Sequence, residues 1–386
     1  MLEEFTVSNF KRYSQISIRN LSHINIFVGM NNVGKTSMLE AIMAYACGQK
    51  LPSIFSMAML HRTYDMRWQP GNSPYSLAEM IFNLFYRNNE IDDFMLDFSG
   101  SVDGRKINIK HIFKPSNIFS SFIPNASGVF EDNQFNFEQP KNQSANMVGT
   151  NIWPEYYLGA WEIFQDDKEK RKYDIILPKM FQENNIEPPL IFARLNEISS
   201  HKNENENRMI YSVLARGGYI PDVIDGLNNS FDNLDLRNIE NIPYPDGSSA
   251  PISLRLKNNK VFPMHSFGDG VRRWFNIIGG MAAYKNAVHC IEEMDATFNH
   301  RVQEKMSPLL CKYAKIFNNQ LFITTHNAEF LHEFLSSVKQ QGRDFVSLKD
   351  DVRVITLRNF NGTIRERVLD GSNAFEALME GLELRL

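Results

Sequence analysis

Cysteine is scarce in this chain: 386 residues contain three, Cys47, Cys290 and Cys311. An odd number at distant positions builds neither a disulfide framework nor a paired-cysteine metal site, and it suits a reducing compartment. The three read as small buried hydrophobes. Long apolar runs are also missing. The best, Ile277 to Tyr284, falls far short of the roughly eighteen residues that a bilayer requires. Met1 to Phe10 carries Glu3 and Glu4 rather than an apolar leader. The expectation is a cytoplasmic protein with no membrane association. There is no basic excess: 41 Lys and Arg stand against 45 Asp and Glu, a formal charge of −4. Bulk electrostatics therefore gives no reason to bind nucleic acid. No repeat of fixed period and no sustained heptad pattern occurs, which excludes a solenoid and a coiled-coil arm.

What is present is the balance of a folded protein, with 43% hydrophobic and 22% charged residues. The N-terminus alternates over Leu2 to Ser8, Gln15 to Arg19 and His23 to Val28, three short strands. The third runs into a glycine-bounded loop and then a helix from Lys35 to about Cys47, with Met38, Leu39, Ile42 and Met43 at helical spacing. Leu77 to Tyr86 reads as helix, and Phe94 to Phe98 with Lys106 to Phe113 as a hairpin about Val102-Asp103-Gly104. Residues 115–150 change character: no Lys or Arg from 115 to 140, and five Phe among many Asn, Ser and Gln. They read as an irregular insertion. Further on, Glu204 to Ala215, Val271 to Tyr284 and Arg301 to Phe317 read as helices. Ile252 to Met264, Val288 to Ile291 and Leu321 to Thr325 read as strands. Val352 to Leu357 and Thr363 to Val368 form a hairpin about Asn361-Gly362, and Ala374 to Leu382 a closing helix. Strand–loop–helix units at both ends imply one α/β domain built from distant parts.

Gly29-Met30-Asn31-Asn32-Val33-Gly34-Lys35-Thr36 has the spacing GxxxxGK[ST], and Ser37 follows. Glycines permit a tight loop whose N–H groups converge on phosphate, at the positive start of the next helix. Lys35 can reach the β- and γ-phosphates of a nucleotide, and Thr36 can ligate Mg²⁺. A metal-side carboxylate is expected at the end of a neighbouring buried strand. Val288 to Ile291 followed by Glu292-Glu293-Met294-Asp295 supplies it. Glu292 is assigned to the Mg²⁺ shell, and Glu293 to orienting and deprotonating the attacking water. His326, after the apolar strand ending Thr324-Thr325, falls at the carboxyl edge of the sheet, where it can bond the γ-phosphate or the water. His289, mid-strand, is expected to be structural. A second glycine loop, His265 to Gly270, precedes the helix that carries Arg272 and Arg273. It is either a second anion site, acting on the nucleotide of another copy, or a plain helix cap.

In this order, Asn9-Phe10-Lys11, Gly29 to Ser37, Ser266 to Gly270, Ile291 to Asp295 and Thr324 to Asn327 resemble the ABC/SMC-like ATPases. Within them the chain looks most like the OLD-like, RecF-related branch found in bacterial anti-phage systems. The resemblance implies a P-loop fold of the ABC-ATPase head type, a mixed sheet flanked by helices with an accessory α+β insertion. The core would be 1–50 with 250–386, and 51–249 would form a β-rich lobe and helical accessory region. Gly29, Asn31, Asn32, Val33, Gly34, Lys35, Thr36 and Ser37 would hold ATP. Ser266, Gly268 and Gly270 would be the signature motif acting across a homodimer or larger assembly. Thr36 and Glu292 would hold Mg²⁺; Lys35, Glu293 and His326 would be catalytic. Met294 departs from the branch, which has proline there, and Asp295 replaces its second Glu. No glutamine is assigned to the Q-loop. About 60 residues follow His326, too few for the Toprim nuclease domain of OLD proteins. The expected partner is therefore a separately encoded effector, with nuclease chemistry the leading class. The alternative is a RecF-like DNA-binding repair ATPase, which the net charge does not favour.

Overall fold

The computed structural model describes residues 1–48, 81–85, 94–116, 156–177, 189–198, 203–244, 246, 248, 250–341 and 345–385. The insertion expected at 115–150 lies outside these apart from residues 115 and 116. Of the helix expected over 77–86, only 81–85 is described, and 81–84 is helical.

Strands β1 (Leu2–Phe10), β2 (Tyr13–Ile18), β4 (Phe94–Val102), β5 (Arg105–Pro115), β6 (Tyr156–Gln165) and β7 (Lys168–Leu177) form one antiparallel sheet, ordered β2-β1-β4-β5-β6-β7. A second sheet takes β3 (Ile24–Val28), β8 (Ala193–Asn196), β12 (Val288–Ile291), β13 (Gln320–Thr324), β14 (Val352–Phe360) and β15 (Thr363–Asp370). Its order is β15-β14-β3-β13-β12-β8, parallel throughout except for the antiparallel edge strand β15. Strands β9 (Leu236–Glu240), β10 (Ser253–Leu256) and β11 (Val261–Pro263) make a small third sheet.

The parallel sheet is buried on both faces, as crossover-connected strands require. In β3, Phe27 faces one apolar cluster, while Ile24, Ile26 and Val28 face the other. The first cluster fills the space between the two large sheets and contains helix α1 (Lys35–Cys47). The spacing in α1 suggests an amphipathic helix, but every residue except Thr36 and Cys47 is buried. The antiparallel sheet covers the side that would otherwise meet water. The Lys11–Glu40 ion pair, almost completely buried, ties the β1–β2 turn to α1. The second cluster packs α2 (Glu204–Gly217), α3 (Ile220–Ser230), α4 (Asp269–Trp274), α5 (His300–Ile316) and α6 (Ala328–Gln341) on the opposite face. Helix α4 continues through a π-helical stretch, Phe275–Gly279, into Gly280–Ala283. Two short helices follow, α7 (Leu348–Asp351) and α8 (Gly371–Met379). Among the described residues no helix is long and apolar enough to cross a membrane.

The sequence-based division into 1–50 with 250–386 and 51–249 needs correction at β8. Residues 193–196 pair with β12 inside the parallel sheet, and α2 and α3 pack on that sheet's second face. Four residues bearing Arg194 carry no apolar signal of their own; an ion network places them. Buried Arg194 donates to Asn196 Oδ1 (2.5 Å), Asn276 O (2.9 Å), Asn276 Oδ1 (2.8 Å) and Glu206 Oε1 (2.6 Å). The Asn276 carbonyl lies in the π-helical stretch and accepts this bond in addition to that from Gly280 N. Gly280 is glycine because a Cβ there would stand 2.1 Å from Arg194 Nη1. Truncating Arg194 to Met strands several buried polar partners. The expected loss is about 3 kcal/mol, read by urea unfolding. A loss below about 1 kcal/mol would show that the network is dispensable.

Candidate functional site at the carboxyl edge of the parallel sheet

Strand β3 ends at Val28, and the loop after it must reverse tightly into α1. Gly29 has φ 149° and Gly34 φ 108°, values that favour glycine. A Cβ on Gly29 would lie 2.5 Å from Leu357 O, and one on Gly34 would lie 2.9 Å from the Tyr13 hydroxyl. Tyr13 donates to Gly34 O at 2.7 Å, and burial raises its pKa, which keeps it a donor. Helix α1 has no side-chain cap and no acid in its first turn, so its leading N–H groups can receive an anion. Lys35 curls over the loop and donates to Gly29 O at 2.9 Å and Met30 O at 3.0 Å. Burial lowers its pKa, and the charges of Glu293 and Asp295 oppose that shift. Asn31 and Asn32 are exposed at the loop's tip, and Asn32 adopts φ 65°. Val33 buries its side chain in the first cluster and donates its N–H to Met30 O at 3.4 Å, so it is part of the loop's frame. Ser37 is buried at the first turn of α1.

Two strands away, β12 delivers the acidic turn. Thr36 Oγ1 donates to Glu292 Oε1 at 2.7 Å, which joins the phosphate loop to this turn. Glu293 adopts φ 41°, a conformation that costs a non-glycine residue about 1 kcal/mol or more. Its surroundings hold it there. Thr324 Oγ1 accepts from Glu293 N at 2.9 Å. Arg273 donates to the carbonyls of Glu292 (2.6 Å), Glu293 (2.9 Å) and Ala296 (2.7 Å). Burial pushes the Arg273 pKa down to about 10, so it remains charged at neutral pH. Asp295 accepts from Thr325 Oγ1 at 2.7 Å. His326, at the end of β13, stands with Nδ1 3.7 Å from Glu293 Oε1, and both side chains are partly exposed. Asn327 caps α6 through Glu329 N and Phe330 N, which leaves the His326 ring outside any capping role. His289 is fully buried with Nε2 against Tyr284 O at 3.1 Å, as expected for a structural residue.

Gly29 to Ser37, Glu292, Glu293 and His326 thus share one edge of the sheet. The second glycine loop is presented differently. Ser266 and Gly268 are exposed, a Cβ on Gly268 would meet nothing within 4 Å, and Gly270 sits half-buried beside Thr297 and Phe231. Gly268 itself occupies the N-cap of α4 with no side-chain bond, so Ser266 is not its cap. The two arginines of the helix that follows take different partners. Arg272 pairs with Asp269, while Arg273 points inward to the acidic turn. Sequence reasoning missed Arg273 as a support of Glu293, because nothing local distinguishes it from its neighbour.

The donor set suits a hard divalent cation: one hydroxyl and one carboxylate in direct contact, beside a cradle for phosphate oxygens. Thr36 and Glu292 are the residues that would hold Mg²⁺. Among the described residues no group of three or more His, Cys, Asp or Glu forms a separate metal site.

The described architecture matches solved SMC heads across almost the whole chain. An SmcHead bound to the C-winged helix domain of ScpA aligns with TM-score 0.53 at 11% identity, covering 97% of this chain and 99% of that one. The fold is that of an ABC-type ATPase head. An Smc head domain with an extended coiled coil, bound to a ScpA domain and derived from Pyrococcus furiosus, aligns with TM-score 0.50 at 10% identity, covering 98% of each chain. Residues 181–332 match the family described as "AAA domain, putative AbiEii toxin, Type IV TA system". A Helicobacter pylori protein named ATP/GTP phosphatase is 24% identical over 389 residues, 94% of this chain and 96% of that protein.

Proposed function

We propose that this chain is an ATPase whose site forms on Gly29 to Ser37, Glu292, Glu293 and His326, and whose ATP-bound form pairs with a second copy. The observation that carries the reading is the 2.7 Å bond between Thr36 and Glu292, with Glu293 and His326 beside it. Phosphate-loop hydroxyl, the carboxylate pair Glu292 and Glu293, and His326 converge from the ends of three separate strands, β3, β12 and β13. ATP hydrolysis also agrees with the head fold and with the name of the full-length relative.

Lys35 and the N–H groups of α1 bind the β- and γ-phosphates. Thr36 and Glu292 would hold Mg²⁺, which when bound would withdraw charge from the phosphate oxygens. Glu293 takes a proton as water attacks the γ-phosphorus, and the bond to the β–γ bridging oxygen breaks to release ADP. His326 orients the water or donates to the γ-phosphate. The exposed second glycine loop is free to close on the nucleotide of a facing copy, with Ser266, Gly268 and Gly270 as its contacts. Through this ATP-dependent pairing the chain acts as sensor or scaffold for a separately encoded effector in anti-phage defence. The family description naming a toxin system supports that wider role.

The test is phosphate release from ATP by the purified chain, with Mg²⁺ and with EDTA, alongside the solution mass with ATP and with ADP. Mg²⁺-dependent release and a mass that doubles with ATP alone are expected. No release under either condition sinks the enzymatic reading, and an unchanged mass sinks the pairing.

A further inference from the structure

Arg385 crosses the top of the strand that carries the phosphate loop. Thr356 of β14 lies opposite Val28 of β3, and its Oγ1 donates to Leu384 O at 2.7 Å. Leu384 is buried in the second cluster, so the backbone entering Arg385 is anchored beside β14. From there Nη1 reaches His326 O at 2.9 Å, on the far side of β3. Strands β14 and β13 are the two neighbours of β3. The guanidinium therefore spans the point where Gly29 begins. Glu383 pairs with Nη2, while Nε is buried without a partner. The charge acts on Lys35, which agrees with this placement.

The His326–Asn327 peptide has one other hold: its N–H donates to Thr325 Oγ1 at 3.0 Å. Thr325 N donates to Phe27 O at 3.1 Å and Thr325 Oγ1 to Asp295, and Asn327 turns at once into α6. Rotation of the intervening peptide would swing the imidazole away from Glu293, and Arg385 bonds the carbonyl of that peptide. We propose that Arg385 is a positioning residue for turnover: by strapping the His326 carbonyl across the end of β3, it keeps the imidazole beside Glu293. The inference rests on the reading of His326 as a participant at the γ-phosphate. It makes the segment around 380–385, joined to α8, an input to the hydrolytic step.

The experiment uses the full chain and five variants: Arg385→Ala, Arg385→Lys, Arg385→Gln, His326→Ala and the Arg385→Ala/His326→Ala pair. kcat and KM for ATP are measured with the Kd for a non-hydrolysable ATP analogue and the thermal midpoint. A residue acting through His326 lowers kcat about tenfold in Arg385→Ala and leaves the analogue Kd within about twofold. Arg385→Lys, which keeps a cationic donor, recovers about a third or more of kcat, and Arg385→Gln recovers less. In the His326→Ala background, adding Arg385→Ala changes kcat by less than about twofold. Equal losses in both backgrounds overturn the inference, because Arg385 then acts elsewhere. A Kd weakened in step with kcat overturns it too, since the guanidinium then binds nucleotide directly. If His326→Ala lowers kcat while Arg385→Ala does not, only the strap fails. Wild-type turnover in His326→Ala overturns the strap and the role of His326 together. A variant that does not fold would show a lost thermal midpoint; Lys and Gln, which both retain an N–H donor, then carry the comparison.

Discussion

Glu293→Gln is expected to retain ATP and lose turnover by a factor of about a hundred or more, the lower end of what a positioned base contributes. The substitution keeps size and shape. The turn itself should not move, because its φ of 41° is imposed through backbone bonds to Thr324 and Arg273, which glutamine leaves intact. What disappears is the proton acceptor and a negative charge near Lys35. Loss of that charge leaves the site more attractive to a polyphosphate, so affinity should hold or rise. Single-turnover phosphate release measured beside nucleotide binding separates the two effects. Normal release by Glu293→Gln would move the base to another residue, with Glu292 and Asp295 next to examine. The same variant should accumulate the paired, ATP-bound form. Capture from native cells with tagged Glu293→Gln, ATP and Mg²⁺ then reports whether a protein effector travels with it.

Lys35→Ala should act earlier, on binding. Its ammonium closes the loop onto Gly29 O and Met30 O at 2.9 and 3.0 Å, and a bound phosphate would take over those donors. Charge-assisted hydrogen bonds contribute about 1.5–3 kcal/mol each, so losing one or two weakens ATP affinity about a hundredfold or more. Fold stability should not follow, because burial already disfavours this charge and its removal relieves that penalty. Titration with a fluorescent ATP analogue and a nucleotide-free melt make the comparison. Unchanged affinity would remove Lys35 from the site, and a collapsed melt would make its role structural.

Local chemistry made much of this legible. Lys35 to Cys47 and Val288 to Ile291 are found at the expected limits, because glycines flank the helix and two acids end the strand. The convergence of Gly29 to Ser37 with Glu292, Glu293 and His326 was readable because each follows an apolar strand at its carboxyl end. Strand β8 was not, since Ala193–Asn196 is short and its Arg194 looks like a surface residue until Asn276 and Glu206 surround it. Strand β7, Lys168–Leu177, begins with a charged run, and an edge position tolerates that. Arg273 and Arg385 carry no pattern at all. Their importance comes from main-chain carbonyls distant in sequence, and no spacing rule reports such partners.

The placement of β3 between β13 and β14 has a consequence for how the chain is made. Both neighbours of Ile24–Val28, Gln320–Thr324 and Val352–Phe360, are synthesised long after it, with the segments between 28 and 320 made first. At usual elongation rates the interval is on the order of tens of seconds. Through it the strand bearing the phosphate loop has no lateral partner, and β1 awaits Gln320, whose amide will bond both its N–H and its carbonyl. The antiparallel sheet can form meanwhile from nearer contacts, but the nucleotide edge cannot. Chains released before residue 320 should therefore be ligand-blind and exposed to chaperones or proteases, so nucleotide binding doubles as a check that synthesis has passed both neighbours of β3.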